Sequence, residues 1–292
     1  MKKGLLLFLV LLLSNVIPCS AFHADRGVHG FYSGNFKVER PVASAADFDP
    51  DTIAGLQFWI KADSESYVND DPVGTATDRS GESHDATQGT VGLKPLFKTG
   101  IQNGKPSYQF DGSDDFLSVT DAAALRAGTS DFTFFLAFKT ANANQFGALI
   151  SKLVSADDSR DWLIRLEDGA GGSGKKFRMF KLSANNANNQ QAYITDDVID
   201  GNAHYLTWTA QANTTNASWV SKKDGAAASR TSTSNTTDAE ALSSTNAINI
   251  GRNTNSTAYF TGDILEVLYY VGTLTDTDRS NVEAYLAAKY AL

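Results

Sequence analysis

Asp111-Gly112-Ser113-Asp114-Asp115 puts three carboxylates into five positions, and Asp263 opens a later apolar run. That density suits a hard cation, because Ca²⁺ takes about six to eight oxygens from side chains and backbone carbonyls. Asp111, Asp114, Asp115 and Asp263 are therefore the candidate metal ligands, with structural Ca²⁺ as the implied cofactor. The competing reading is a tight turn whose Asp side chains accept backbone N–H groups, with Asp263 starting a strand. Asp47-Phe48-Asp49-Pro50-Asp51 imitates the start of an EF-hand loop, but it lacks the sixth-position Gly and the closing Glu and is set aside.

A second chemistry is sugar recognition, which needs aromatic rings against a pyranose face and amides or hydroxyls to read its hydroxyls. The candidates are Trp219, Tyr259, Asn253 and Asn255, with polar loops at Asn142, Asn144 and Gln145 and at Asn185, Asn186, Asn188, Asn189, Gln190 and Gln191. Trp59, Trp162 and Trp208 alternate within strand-like runs and read as core. Hydrolytic machinery is not visible. There is no G-x-S-x-G elbow and no HExxH, and His204 reads as a strand-entry residue held by a backbone partner. No catalytic residue is assigned.

Composition narrows the partners. The chain has 292 residues with 42% hydrophobic and 20% charged, a balance that folds. Residues 1–21 read as a secretory signal: Lys2 and Lys3, an apolar run from Leu5 to Leu13, then Cys19-Ser20-Ala21. Nine apolar residues at about 1.5 Å each are too few to span a membrane core of roughly 30 Å. Membrane insertion after signal cleavage is therefore not expected, and the location is secreted, periplasmic or at the cell surface. Without Lys2 and Lys3 the chain carries 23 basic and 33 acidic residues, a net charge of -10. A phosphate backbone is bound by clustered cations, so no nucleic-acid partner is expected. Cys19 is the only cysteine, so a chain cut after Ala21 folds without disulfides.

The elements that must position these residues are strands. Gly55–Lys61, Pro106–Phe110, Phe116–Val119, Asp131–Lys139, Trp162–Glu167, Lys176–Leu182, Gln191–Thr195, His204–Gln211, Ala217–Lys222, Ala247–Gly251 and Asp263–Val271 are rich in aromatic or β-branched residues between turn signals. Asp111–Asp114, Asp168–Gly174 and Asp224-Gly225 read as hairpin turns, because Gly accepts a positive φ. One helix is expected at the end, capped by Thr275 with Asp278, with Val282, Tyr285, Leu286 and Tyr290 along one side. Residues 22–46 read as a leader or spacer and 47–292 as one domain.

The order of motifs resembles the laminin-G-like domains of the concanavalin A-like lectin/glucanase superfamily. The residues that carry the likeness are Asp49-Pro50, Ile53, Gly55-Leu56, Trp59 and Ala62, then Asp78-Arg79-Ser80-Gly81 and His84-Asp85-Ala86-Thr87. Phe110–Leu117 resembles that family's FDGxDDxL hairpin, and Asp131–Phe134 the strand after it. Asp200–His204 resembles its DGxWH entry, with Ala203 in place of Trp. Phe260–Tyr270, Leu274-Thr275 and Tyr285–Tyr290 match its closing strand and helix.

The resemblance implies an all-β, two-sheet antiparallel jelly-roll sandwich with a short C-terminal helix, whose rims or concave face meet carbohydrate or a cell-surface glycan. The alternatives are an adhesion or envelope-associated protein with a protein partner and, ranked below it, a divergent glycoside hydrolase. The superfamily's hydrolases set two carboxylates close together on one strand. Here Glu167 enters a glycine-rich turn and Glu266 stands alone on the closing strand, so a non-catalytic binding domain is expected. The pentraxin calcium loop has no counterpart, because Gly251–Asn255 holds no carboxylate.

Overall fold

Alternating apolar residues bury one face of a pleated ribbon, and paired ribbons are what this chain forms. The computed structural model describes residues 45, 48–142, 146–153, 160–168, 175–182, 189–235, 241–253 and 258–292. The expected signal, and the expected spacer apart from Ala45, lie outside the described residues, as do Asn144, Gln145, Asn185, Asn186, Asn188 and Asn255.

In chain order the strands are β1 (Leu56–Lys61), β2 (Thr75–Ala76), β3 (Ala86–Thr87), β4 (Leu96–Gln102), β5 (Lys105–Asp111), β6 (Leu117–Val119), β7 (Phe132–Lys139) and β8 (Ala148–Leu153). They continue as β9 (Arg160–Asp168), β10 (Lys175–Lys181), β11 (Gln190–Ile194), β12 (Ala203–Ala210), β13 (Val220–Lys223) and β14 (Ala226–Ala227). Last come β15 (Arg230–Asn235), β16 (Ile248–Ile250), β17 (Thr261–Val271) and the helix α1 (Asp276–Tyr290).

One sheet has eight strands, ordered β14-β13-β12-β7-β17-β5-β4 with β1 added on β17, and the other has nine, ordered β15-β11-β10-β9-β8-β16-β6-β3-β2. The fold is the two-sheet antiparallel sandwich that the sequence predicts. β17 is long because it serves two neighbours in succession: β5 pairs along Thr261–Ile264 and β1 along Glu266–Tyr270, while β7 runs down its other edge.

Between the sheets lies an aromatic core. Phe134 stacks on Tyr269 with ring centroids 4.5 Å apart and meets Trp162 edge-on at 4.5 Å, and Trp208 packs on Phe132 at 5.2 Å. The outer face of the eight-stranded sheet is covered by α1. Val282, Tyr285, Leu286 and Tyr290 sit against Phe135, Leu268 and Tyr270, the face that their helical spacing requires. Thr275 and Asp278 form the expected capping box. The face of the nine-stranded sheet that points away from this core carries a small buried cluster of its own, Ala148, Leu153, Leu163, Phe180 and Leu182.

Three departures from the sequence reading have local causes. Asp111–Asp114 does not close a hairpin; it carries the chain from β5 in one sheet to β6 in the other. Asn216–Ser218 forms one helical turn before β13, because the buried Asn216 amide donates to Gln191 O at 2.7 Å and accepts from Ser232 Oγ at 2.8 Å. β4, β8 and β15 lack a legible alternation: β4 contains Gly100, β15 is polar, and β8 is buried at every position, including Lys152. Asp224-Gly225 does close the expected tight turn, with φ of 49° and 77°.

Candidate functional site

In β9, β10 and β11 one set of alternate residues (Ile164, Leu166, Phe177, Met179, Ala192, Ile194) enters the core. The other set must therefore point away from it. Cross-strand register aligns that outward set into rows. Arg165 faces Arg178, which faces Tyr193, which faces Thr231. A second row runs Thr87, Ser118, Asn249, Ser151, Leu163, Phe180 and Gln191 across most of the sheet.

Two like charges opposite one another need compensation. Glu167 supplies it. It accepts from Arg165 Nη2 at 2.8 Å and from Arg178 Nη1 at 2.7 Å on each oxygen, and Arg178 Nη2 also donates to Gln191. Aromatic rings hold the guanidinium planes. Arg178 lies 4.4 Å from the Phe180 centroid and 4.5 Å from that of Tyr193, and Arg165 lies 4.7 Å from Phe180 and 5.9 Å from the half-exposed ring of Phe146. Burial pushes the Tyr193 phenol up. The Nε atoms of both arginines are buried without an acceptor. The lattice carries two cations against the one Glu167 carboxylate that joins them, and its planar donors are fixed in place before any ligand arrives. At the other end of the face the Arg252 guanidinium covers Phe116 at 3.3 Å and donates to Asn249 Oδ1 at 3.2 Å.

The residues expected to bind sugar are scattered. Trp219 is 4% exposed and packs on Trp208 at 5.1 Å, so its ring is core and cannot serve as an open platform. Asn253 and Tyr259 flank the base of the loop after β16, beside Arg252, and Asn253 Oδ1 is buried without a partner. The lattice that the sequence reading misses leaves one trace in the chain: polar or aromatic residues fill the outward phase of the alternation at Arg165/Glu167, Arg178/Phe180 and Gln191/Tyr193.

The acidic residues divide. Asp111, Asp114 and Asp115 bring their carboxylates within 4.8 Å of one another, but Asp263 is not among them and accepts from Ser107 Oγ at 2.7 Å. Asp111 Oδ1 already accepts from the Ser113 and Asp114 N–H groups, and Asp115 Oδ2 from that of Asp111. Burial raises the Asp115 carboxyl to about 6. Ca²⁺ takes about six to eight oxygens, so an ion here would draw backbone carbonyls or water in beside these three side chains.

The two glutamates read as bystanders are also placed differently. Glu167 is the hub of the arginine lattice instead of a turn residue. Glu266 is fully buried beneath α1, where it accepts from Trp59 Nε1 at 2.6 Å, Lys289 Nζ at 2.7 Å, Tyr290 OH at 2.9 Å and Tyr285 OH at 3.0 Å. Burial, then the charge of Glu266, pushes both phenols well up.

His204 is held by carboxylates, not by the backbone: Nδ1 lies 2.8 Å from Asp224 and Nε2 3.1 Å from Asp200. Burial opposes a charged ring, but the Asp224 and Asp200 interactions outweigh it and the His204 pKa is raised. A raised histidine stabilises the fold below its ordinary value, and that contribution disappears as pH rises through the folded value. Asp200 is lowered, so its share is lost only in strong acid. His204→Gln is thus expected to cost about 1 kcal/mol near pH 5.5 and clearly less near pH 9, read from melting curves at the two pH values. An equal cost at both would show that the ring is held neutral.

No protein-family model and no curated protein matches this sequence. Solved structures do match. The binding domain of Paraclostridial Mosquitocidal Protein 1 superimposes with a TM-score of 0.57 at 11% identity, over 82% of this chain and 52% of that one. The botulinum neurotoxin serotype D ligand binding domain in complex with N-acetylneuraminic acid gives 0.56 at 12%, again over 82% and 52%. Domain 4 of AbnA, a GH43 extracellular arabinanase from Geobacillus stearothermophilus, in complex with arabinotriose, gives 0.53 at 13%, over 80% of this chain and 98% of that domain. The likeness is one of fold. The chain spans about half the length of the toxin chains, and identities this low carry the sandwich architecture without its ligands. The laminin-G-like resemblance accordingly stands at the level of the sandwich. Among the described residues no helix is long and apolar enough to cross a membrane.

Proposed function

We propose that this protein is an exported, non-catalytic domain that binds carbohydrate on the outer face of the nine-stranded sheet. The observation that carries the reading is the Arg165–Arg178–Tyr193 row beside the exposed Phe146, fixed planar donors next to an apolar ring. Sugars present hydroxyl edges and apolar faces, and such a surface meets both. Two fold neighbours are a domain in complex with arabinotriose and one in complex with N-acetylneuraminic acid, which supports looking for a glycan first. Glu167 spends its oxygens on Arg165 and Arg178, an arrangement suited to orienting donors and ill suited to protonating a leaving group. A protein partner is favoured less. The large apolar side chains exposed among the described residues are Val68, Val91 and Phe146, on three different loops, whereas docking surfaces are contiguous.

A glycan array that includes arabinans and sialylated chains is expected to give saturable binding. Arg178→Ala is expected to weaken the best ligand by about tenfold or more, and Phe146→Ala, at a half-exposed ring, by a few-fold without changing the melting temperature. A blank array, or undiminished binding by both variants, would end this assignment.

A further inference from the structure

On the other side of the molecule a cleft of about 640 Å³ opens beside the C-terminal half of α1, with Phe48, Trp59 and Tyr285 among its walls. Its volume lies within the range of small-molecule sites. Lys61 projects into it with its ammonium 4.0 Å above the Trp59 ring, and no carboxylate lies within ion-pair distance of it among the described residues. The nearby acids are committed elsewhere. Glu266, directly across from Lys61 in the β1–β17 register, is saturated by its four donors, and Asp63 serves Lys289 at 2.8 Å and Lys105 at 3.6 Å. Burial, then the neighbouring Lys289 charge, lowers the Lys61 pKa. Among the described residues the half-buried cation therefore has no counter-ion of its own.

The rest of the lining is mixed: Asp49 and Asp51 border the cleft as exposed carboxylates, Arg79, Lys105 and Lys289 add cations, and Asn103 adds an amide from the tip between β4 and β5. A neutral molecule would leave Lys61 uncompensated. A ligand with a carboxylate on a hydroxyl-rich body can meet Lys61 and still donate to Asp49 and Asp51. We propose that the cleft is a second ligand site for a small polyhydroxylated acid of the sugar-acid class, with its carboxylate on Lys61 and its hydroxyls donating to Asp49 and Asp51.

The test compares D-glucuronate with D-glucose on the purified full-length protein at low salt, by calorimetric titration and by the fluorescence of Trp59 beneath Lys61. Saturable glucuronate binding is expected, at least about tenfold tighter than glucose. Lys61→Met keeps the aliphatic stem and should abolish the difference, whereas Lys61→Arg should retain it. Equal binding of the two sugars, no binding of either, or glucuronate binding that survives Lys61→Met would overturn the proposal.

Discussion

Glu266→Ala is expected to lower stability by about 3–5 kcal/mol, among the largest losses available to a single substitution in this fold. The substitution leaves Lys289 with Asp63 as its remaining carboxylate and leaves Trp59 Nε1 and the Tyr285 and Tyr290 hydroxyls without their acceptor. In a domain of this size each kcal/mol moves the midpoint by about 2–4 °C, so the melting temperature should fall by roughly 10 °C. Glu266→Gln should cost less, because its amide oxygen still accepts. Pairing Glu266→Leu with Lys289→Met should recover only part of the loss, since it removes a buried cation that has lost one of its two carboxylates but not the unmet donors. A midpoint within a degree or two of the parent for Glu266→Ala would mean that the network does not anchor α1.

The second large effect depends on pH and lies in the nine-stranded sheet. Lys152 is fully buried on β8, where it donates to Asp121 at 2.6 Å and to the Ser244 and Asn246 carbonyls at 2.7 and 2.8 Å. Asp161 stands 4.0 Å away with Oδ2 unpartnered, and burial lifts its carboxyl to about 7 against the pull of the Ser244 N–H and of Lys152. A carboxyl raised on folding holds its proton more tightly in the folded state. Stability is then greatest in acid and falls as pH climbs from the unfolded value near 3.8 through about 7. The span corresponds to a loss on the order of 2–4 kcal/mol. Asp115, at about 6, adds a decline of the same sign, and His204 loses its contribution in the upper part of the range.

Asp161→Asn should therefore match the parent near pH 4 and exceed it near pH 8, and it should flatten the part of the melting-temperature profile centred near 7. Lys152 keeps Asp121 and two carbonyls, so the change does not strand it. A variant that is less stable than the parent at pH 8 would show that Asp161 serves Lys152 as a necessary counter-ion.

Much of the architecture is legible in the sequence because it rests on local periodicity. Phe132–Lys139, His204–Gln211 and Asp263–Val271 reveal themselves as strands, and Thr275, Asp278, Val282, Tyr285, Leu286 and Tyr290 define a capped amphipathic helix before any neighbour is known. The same locality explains the errors. Trp219 resembles an exposed aromatic until Trp208 is found against it, and β8 hides its strand character behind a lysine two of whose acceptors lie on a loop some ninety residues away.

What the chain determines by itself is its alternation: which residues share a ribbon face, and that those ribbons, closed by one helix, make a two-sheet sandwich. What only the tertiary structure decides is which ribbons lie side by side. Arg165, Arg178 and Tyr193 become one surface through cross-strand register, Glu266 becomes a hub because a helix arrives over it, and among the described residues Lys61 has no carboxylate of its own because Glu266 is taken by Lys289. Alternation is set by the geometry of each residue's own backbone, whereas these neighbourhoods depend on the pairing energy of segments far apart in sequence, which no short stretch encodes.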